Sequence, residues 1–358
     1  MAAKICNYYA AANSARGYVS YLKDNLRGLV KVYILKGGSD NFKSLLMTNL
    51  GINWYIKGYE IEYIHSASDE NEIEAVIIPA VGTAVVNGDS PSMEASSDFA
   101  EYEIVDMESE DVSRNTFLKD DFIAEIKGQI DDYFKEAYDK FHQALLIHDE
   151  WEKIYLENID FEKLNEIAND AVNKLFDKAS LMKEGILKNR FFGGATYNGT
   201  VNFVMDLTKD LGKRYFIKGR PGSGKSTFLR KIASAAQSRG FDVELYHCGF
   251  DPQSLDMVII RELDLAVFDS TSPHEFFPSK DSDEVIDIYA LAIAPGTDEK
   301  YEKELKDITG RYKAKVEEGI AYLGKARNMQ EELNIHLGLR TDIGSMEVFY
   351  REINEKLR

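Results

Sequence analysis

The sequence predicts an α/β protein built from two copies of one three-layer unit, a mostly parallel sheet between helices, with a helical addition after each copy. Three observations predict it. Short β-type runs such as "KRYFIKG" (213–219) alternate with glycine turns and with stretches of helical periodicity such as "STFLRKIASAAQSRG" (226–240), the order expected of strands joined by crossovers. The chain repeats itself at a fixed offset of 182 residues. A charged stretch with an apolar stripe at helical spacing follows each copy.

The repeat can be counted. Residues 31–91 fall on 213–273 without a gap, and 17 of the 61 positions are identical. "GYEIEYIHSASD" lies on "GFDVELYHCGFD", "VIIPAVGTAVVNGDSP" lies on "VIIRELDLAVFDSTSP", and upstream "YYAAANSARG" lies on "RFFGGATYNG". Two domains are therefore expected, 1–186 and 187–358. In residues 116–185, Phe134, Ala137, Tyr138, Phe141 and Leu145 share a helical face; in 298–358, Ile308, Tyr312, Val316, Ile320 and Leu323 do. Such helices are expected to pack on their own domain or to form an antiparallel hairpin. They are also the surfaces through which a homo-oligomer or a protein partner would dock.

The second repeat carries "GRPGSGKST" (219–227), which fits G-x-x-x-x-G-K-[ST] and stands between a β-type run and a helical pattern. Gly219, Gly222 and Gly224 let the backbone curl so that N–H groups converge, with Arg220, Pro221 and Ser223 completing the turn. The helix N-terminus adds the positive end of its dipole. Lys225 would set its ammonium against the β- and γ-phosphates, Ser226 its hydroxyl on Mg²⁺, and Thr227 would reach the α-phosphate. Leu265, Ala266, Val267 and Phe268 read as a strand ending in Asp269, the acid expected to hold Mg²⁺ through water. No N-K-x-D stretch for guanine is present, so ATP is expected ahead of GTP.

At the same repeat positions the first copy has Asp40 for Gly222, Phe42 for Gly224, Leu45 for Thr227 and Asn87 for Asp269, while Lys43 and Ser44 are kept. Asp40 would aim a carboxylate into an anion site, Phe42 would add bulk where the loop must hug phosphate, and Asn87 lacks the charge that balances magnesium. The first repeat is therefore expected to be a non-catalytic structural or regulatory copy.

The pair "ARGYVSYL…VYILKGG" and "KRYFIKGRPGSGKST", with "YHCGFDPQSLDMVII" and "VFDSTSPHEFFP", resembles a family of bacterial tandem P-loop ATPases over nearly the whole chain. The resemblance implies a duplicated P-loop NTPase fold and nucleotide use, and names no pathway. Both loops are often intact in that family; here the second alone is.

Hydrolysis needs a group that orients water, which many P-loop ATPases carry as a Glu directly after the strand-end Asp. Here Ser270 follows Asp269. His274 and Glu275 are the first candidates, because the first repeat has Ser92 and Met93 opposite them. His247 and Asp251 rank lower, because the first repeat keeps His65 and Asp69 there; Gln253 is a further candidate nearby. Cys248 beside His247 has no metal-ligand spacing, so zinc is not expected. Arg220 faces phosphate or solvent, and Arg190, Arg214, Arg311 and Arg327 are open as charge-stabilising residues. The expected activity is ATP hydrolysis by the second repeat. A small-molecule kinase is less well supported, since residues 276–297, where a phosphate lid would lie, are acidic and contain no Arg. A nucleotide-binding regulator with negligible turnover stays open because no Glu follows Asp269.

The chain carries 61 Asp+Glu against 43 Lys+Arg, a net charge of −18, and an acidic surface repels phosphate backbones, so nucleic acid is not the expected partner. Two cysteines, Cys6 and Cys248, make no disulfide framework, and the N-terminal stretch has no apolar leader core. No run of about 18 apolar residues occurs either, so a cytoplasmic protein without membrane contact is expected.

Overall fold

A computed structural model describes residues 3–94, 101–107, 120–271, 275–338 and 343–357. The first repeat contributes β1 (Ile5–Tyr9), the hairpin β2 (Ala11–Ser14) and β3 (Gly17–Ser20), α1 (Leu22–Leu26), β4 (Lys31–Lys36), α2 (Asp40–Ile56), β5 (Ile61–His65), β6 (Ile73–Ile78), β7 (Thr83–Asn87), α3 (Pro91–Glu94), β8 (Tyr102–Asp106), α4 (Asp120–Leu156) and α5 (Phe161–Phe176). The second contributes β9 (Leu187–Phe191), the hairpin β10 (Gly193–Thr196) and β11 (Gly199–Asn202), α6 (Val204–Thr208), β12 (Lys213–Lys218), α7 (Lys225–Gln237), β13 (Val243–His247), β14 (Leu255–Ile260), β15 (Leu265–Asp269), β16 (Asp283–Asp287), α8 (Ile288–Ala292), α9 (Thr297–Lys300), α10 (Glu302–Gly338) and α11 (Ile343–Lys356). The offset of 182 survives folding: β1 to β7 map on β9 to β15, and α4 maps on α10, residue for residue.

Twelve strands form one sheet in the order β16-β12-β15-β14-β13-β9-β1-β5-β6-β7-β4-β8, so both repeats read outward from the middle in the same order. β1/β5, β4/β7 and β4/β8 are parallel, as are their counterparts. The sheet is nonetheless mixed. β5-β6-β7 and β13-β14-β15 run antiparallel, because no helix intervenes between these strands and a short connection can only reverse the chain. The repeats join where Tyr9 of β1 lies antiparallel to Phe191 of β9, one repeat position facing itself across a pseudo-two-fold axis.

Alternation along the strands sends side chains to two faces. Tyr33 and Leu35 pack under α2 with Leu46, Leu50 and Trp54, and Ile217 and Val267 pack under α7 with Phe228, Leu229 and Ile232. On the opposite face Ile34, Met257, Phe216 and Phe268 are covered by Leu22 and Leu26 of α1 and by Val204 and Leu207 of α6.

The two apolar stripes, expected to pack on their own domains or to form an antiparallel hairpin, find each other across the repeats. α4 and α10 pair antiparallel: Ile123, Ile126 and Ile130 cluster with Leu333, Phe141 and Leu145 with Leu323, and Glu150 pairs with Arg311 at 2.7 Å. Phe141 occupies the space a side chain on Gly319 would need. The antiparallel pair is thus made between repeats, and each helix ends over the other repeat's loop. Among the described residues, no helix is long and apolar enough to cross a membrane.

Candidate functional site

β12 delivers the chain into the second glycine loop and α7 takes it up at Lys225. Gly222 and Gly224 have φ of 71° and 83°, the left-handed region that strains any side chain. Ser223 closes the turn: its N–H donates to the Arg220 carbonyl and its Oγ accepts from the Arg220 N–H, both at 3.1 Å. Left-handed residues alternating with a turn at a helix start give the backbone shape in which successive amides face one point. Lys225 Nζ donates to the Arg220 carbonyl at 2.8 Å and lies 3.5 Å from Asp269 Oδ2. The ammonium is therefore held in the loop by one carbonyl and by the Asp269 carboxylate at ion-pair distance. Ser226 Oγ accepts from the Leu255 N–H at 2.9 Å, and Asp269 Oδ1 accepts from the Thr271 N–H at 3.0 Å. The Arg220 side chain turns to Asp298, at 2.9 and 3.2 Å, and lies over the Tyr289 ring. Thr227 is exposed and Pro221 partly buried.

Asp256 was not picked out from the sequence. It sits on β14, and burial together with the Asp269 charge pushes its carboxyl up to about 7. Burial also raises the neighbouring Cys248 thiol. The matching residue of the first repeat is Glu74, whose carboxyl burial raises as well. A single acid inside each of the apolar runs "LDMVII" and "IEAVII" is the signal that marks them.

Of the two leading acid–base candidates, His274 lies outside the described residues. Glu275 turns to Lys218 Nζ, 3.5 Å away, rather than to Asp269. His247 is held by Asn189 Oδ1 and the Pro252 carbonyl, both at 2.8 Å, and Asp251 pairs with Arg16 at 2.6 Å. The Gln253 N–H donates to Asp251 Oδ1 at 3.1 Å. The four open arginines are engaged elsewhere: Arg190 with Glu62, Arg214 with Asp283, Arg311 with Glu150, and Arg327 with Asp69 and Glu72.

What covers the second loop comes from the first repeat. Gly222 faces α4 so closely that a Cβ on it would lie 2.6 Å from the Glu152 carbonyl oxygen, and one on Gly224 would run into Leu164 of α5. One turn back on α4, His148 Nδ1 lies 3.8 Å from Glu152 Oε1. Burial lowers the His148 pKa and Lys225 adds to this, while Glu152 and Asp149 oppose it.

The first loop has a different backbone. α2 begins at Asp40, three repeat positions before the start of α7, so Asp40, Asn41 and Phe42 are helical where the second repeat has its open turn. Ser39 Oγ caps this helix by accepting from the Phe42 N–H at 3.3 Å. Lys43 is 1% exposed and pairs with Asp89 at 2.6 Å and Asp40 at 3.2 Å, and Asn87 Nδ2 donates to Asp40 Oδ1 at 2.8 Å. α10 covers this loop as α4 covers the other. Asn334 Oδ1 accepts from the Asp40 N–H at 3.1 Å, and Gln330 Nε2 donates to Asp40 Oδ2 at 3.0 Å. Asn334 and Glu152 are one repeat position, and so are Gln330 and His148. No family model, no curated protein and no solved structure matches this chain.

Proposed function

We propose that the second repeat is a P-loop site that binds Mg-ATP and hydrolyses it, and that the first repeat is a non-catalytic copy built into the same sheet. The loop between β12 and α7 carries this reading: two left-handed glycines lead into a helix N-terminus, and Lys225 folds back onto the Arg220 carbonyl. Phosphate oxygens are stronger acceptors for an ammonium than one carbonyl, so a nucleotide would take over Lys225 without a change of fold. The donor set fits magnesium. Ser226 and, through water, Asp269 would hold the ion, with Asp256 adding a second carboxyl beside Asp269. When bound, the ion would supply positive charge against the phosphates. In the first repeat Asp40 and Asp89 already occupy Lys43; left-handed Gly37 and Gly38 precede the helix there too, but Asp40, Asn41 and Phe42 are helical where the second repeat keeps its turn up to Lys225. Those facts support one working site.

The test is calorimetry of Mg-ATP with the wild type, Lys225→Ala and Lys43→Ala, and phosphate release assayed on the same samples. One binding event that Lys225→Ala abolishes and Lys43→Ala keeps is expected, with phosphate released. Two binding events, or loss with Lys43→Ala, would sink the single-site reading. Binding without release would make the protein a nucleotide-dependent regulator.

A further inference from the structure

If the second repeat hydrolyses ATP, its own strand end does not supply the group that orients water. Ser270 follows Asp269, is fully buried, and spends its hydroxyl on the Phe276 carbonyl at 2.6 Å. Resting on the ATPase reading above, we infer that the group comes from the first repeat: His148 of α4 is the catalytic residue that takes the proton of the attacking water at the second loop, and Glu152 is the positioning residue that orients its ring.

Placement is the first support. The Glu152 backbone sits against Gly222 of the loop, and His148 is one helical turn away on the same face, Nδ1 to Oε1 3.8 Å. Trp151, Phe250 and Tyr312 surround the imidazole with ring centroids 6.3, 6.4 and 5.8 Å from its own. The charged groups that face it are Glu152 and Asp149 from α4, Lys225 from α7 and Asp251 from the loop after β13. Burial and Lys225 favour the neutral ring, the form that accepts a proton.

The second support is the comparison the molecule makes with itself. The places of His148 and Glu152 are taken in the first repeat by Gln330 and Asn334, which also reach their loop but bind Asp40. Amides cannot take up a proton at neutral pH. The repeat whose loop is closed has amides over it, and the repeat whose loop is open has an imidazole and a carboxylate. In the proposed step a bond forms between the water oxygen and the γ-phosphorus as the bond from that phosphorus to the β,γ-bridging oxygen breaks. The electron pair leaves with ADP, and the water proton passes to His148 Nε2 while Glu152 stays beside Nδ1.

The experiment measures kcat against pH and the Kd of Mg-ATP for the full chain and for His148→Gln and Glu152→Asn. These two substitutions install the residues that already pack at the matching places of α10, so folding should be kept. His148→Gln is expected to lower kcat by roughly 100-fold or more, the usual worth of general base catalysis, with Kd within about threefold. It should also abolish the acid limb of the pH profile. Glu152→Asn should lower kcat less and move that limb to lower pH, since the Glu152 charge raises the His148 pKa. Glu150→Gln, on the exposed pair with Arg311, should change neither. Retained kcat in both variants, an unmoved acid limb, or a loss of kcat matched by an equal loss of ATP affinity overturns the inference. A wild type that binds ATP but releases no phosphate overturns it and leaves nucleotide binding standing. A wild type that binds no ATP overturns both readings.

Discussion

Arg190 stacks over the ring of Tyr8, its guanidinium carbon 3.9 Å from the centroid, and the two residues are the same position of the repeat, 182 residues apart. Both also bind Glu62: the Tyr8 hydroxyl donates at 2.6 Å and Arg190 Nη2 at 2.9 Å. Arg190 Nε donates to Asn25 Oδ1 at 2.9 Å, and Nη1 lies 3.7 Å from Glu244 Oε1. Burial works against the charged guanidinium, yet Glu62, Tyr8 and Glu244 outweigh it and hold its pKa well above the ordinary arginine value. Next to a pseudo-two-fold axis a residue meets its own counterpart. Two arginines there would repel, and two tyrosines would leave Glu62 without a cation while Glu244 kept Arg261 at 2.8 Å, so the seam needs the repeats to differ at this position.

Arg190→Met should therefore destabilise the join. It leaves Glu62 without its cation at the seam while Glu244 keeps Arg261, and removing one partner of a buried pair costs roughly 3–5 kcal/mol. Urea unfolding should show a lower midpoint at unchanged slope. Tyr8→Phe removes one hydrogen bond and should cost only about 1 kcal/mol.

Phe141 is fully buried between α4 and α10. Phe141→Ala should cost roughly 3–5 kcal/mol through the cavity it leaves. Because α4 also carries the residues over the second loop, the same variant should weaken ATP binding in calorimetry. A stability loss with unchanged affinity would mean that the end of α4 is seated independently of its middle.

Gly222→Ala puts a side chain at φ 71° and sets its Cβ 2.6 Å from the Glu152 carbonyl oxygen, a backbone atom that cannot swing aside. The expected result is a loss of stability larger than the roughly 1–2 kcal/mol of left-handed strain alone, read as a lower melting temperature, together with about tenfold weaker ATP binding. Gly128→Ala, inside α4 with open space where its Cβ would go, should instead stabilise by roughly 0.5–1 kcal/mol.

The buried histidines should contribute stability that rises between about pH 4 and 6.5, against the opposite slope of Asp256, whose raised carboxyl favours the folded state at the acid end. His65 is buried between Asn7 Oδ1 and the Glu70 carbonyl, and burial lowers its pKa to about 4 from the ordinary 6.5; His247 is lowered in the same direction by the same cause. Between these pH values the unfolded chain binds the proton and the folded chain does not, so acid favours unfolding, and the contribution is complete above 6.5. For His65 it amounts to about 3 kcal/mol. Denaturant unfolding of the wild type and His65→Gln at pH 5 and 7.5 checks it: the difference between the two pH values should shrink in the variant.

Much of the fold was legible because it was written twice. The 182-residue offset seen in residues 31–91 governs seven strands of each repeat, and the Lys225 loop was legible because a glycine turn between a strand and a helix is a contiguous stretch of chain. The antiparallel middle strands were less visible. "VELYH", "LDMVII" and "LAVFD" read alike as buried strands, and their direction depends on connections whose lack of a helix had to be noticed. Glu275 was a candidate because the first repeat has Met93 opposite it; what the sequence did not show is that it lies 3.5 Å from Lys218 at the end of β12.

By itself the sequence determined the repeat, the strand–loop–helix order, the left-handed Gly222 and Gly224 of one loop and the side chains that take their places in the other, since each depends on local backbone sterics or on short-range pattern. Tertiary structure alone decided that α4 and α10 cross between repeats, that Glu152 rests on Gly222 as Asn334 rests on Asp40, and that Asp256 lies beside Asp269. An amphipathic stripe states only that a face must be buried. Which apolar surface buries it is settled by the competition among all such surfaces in the folded chain, and here the matching stripe lay 182 residues away.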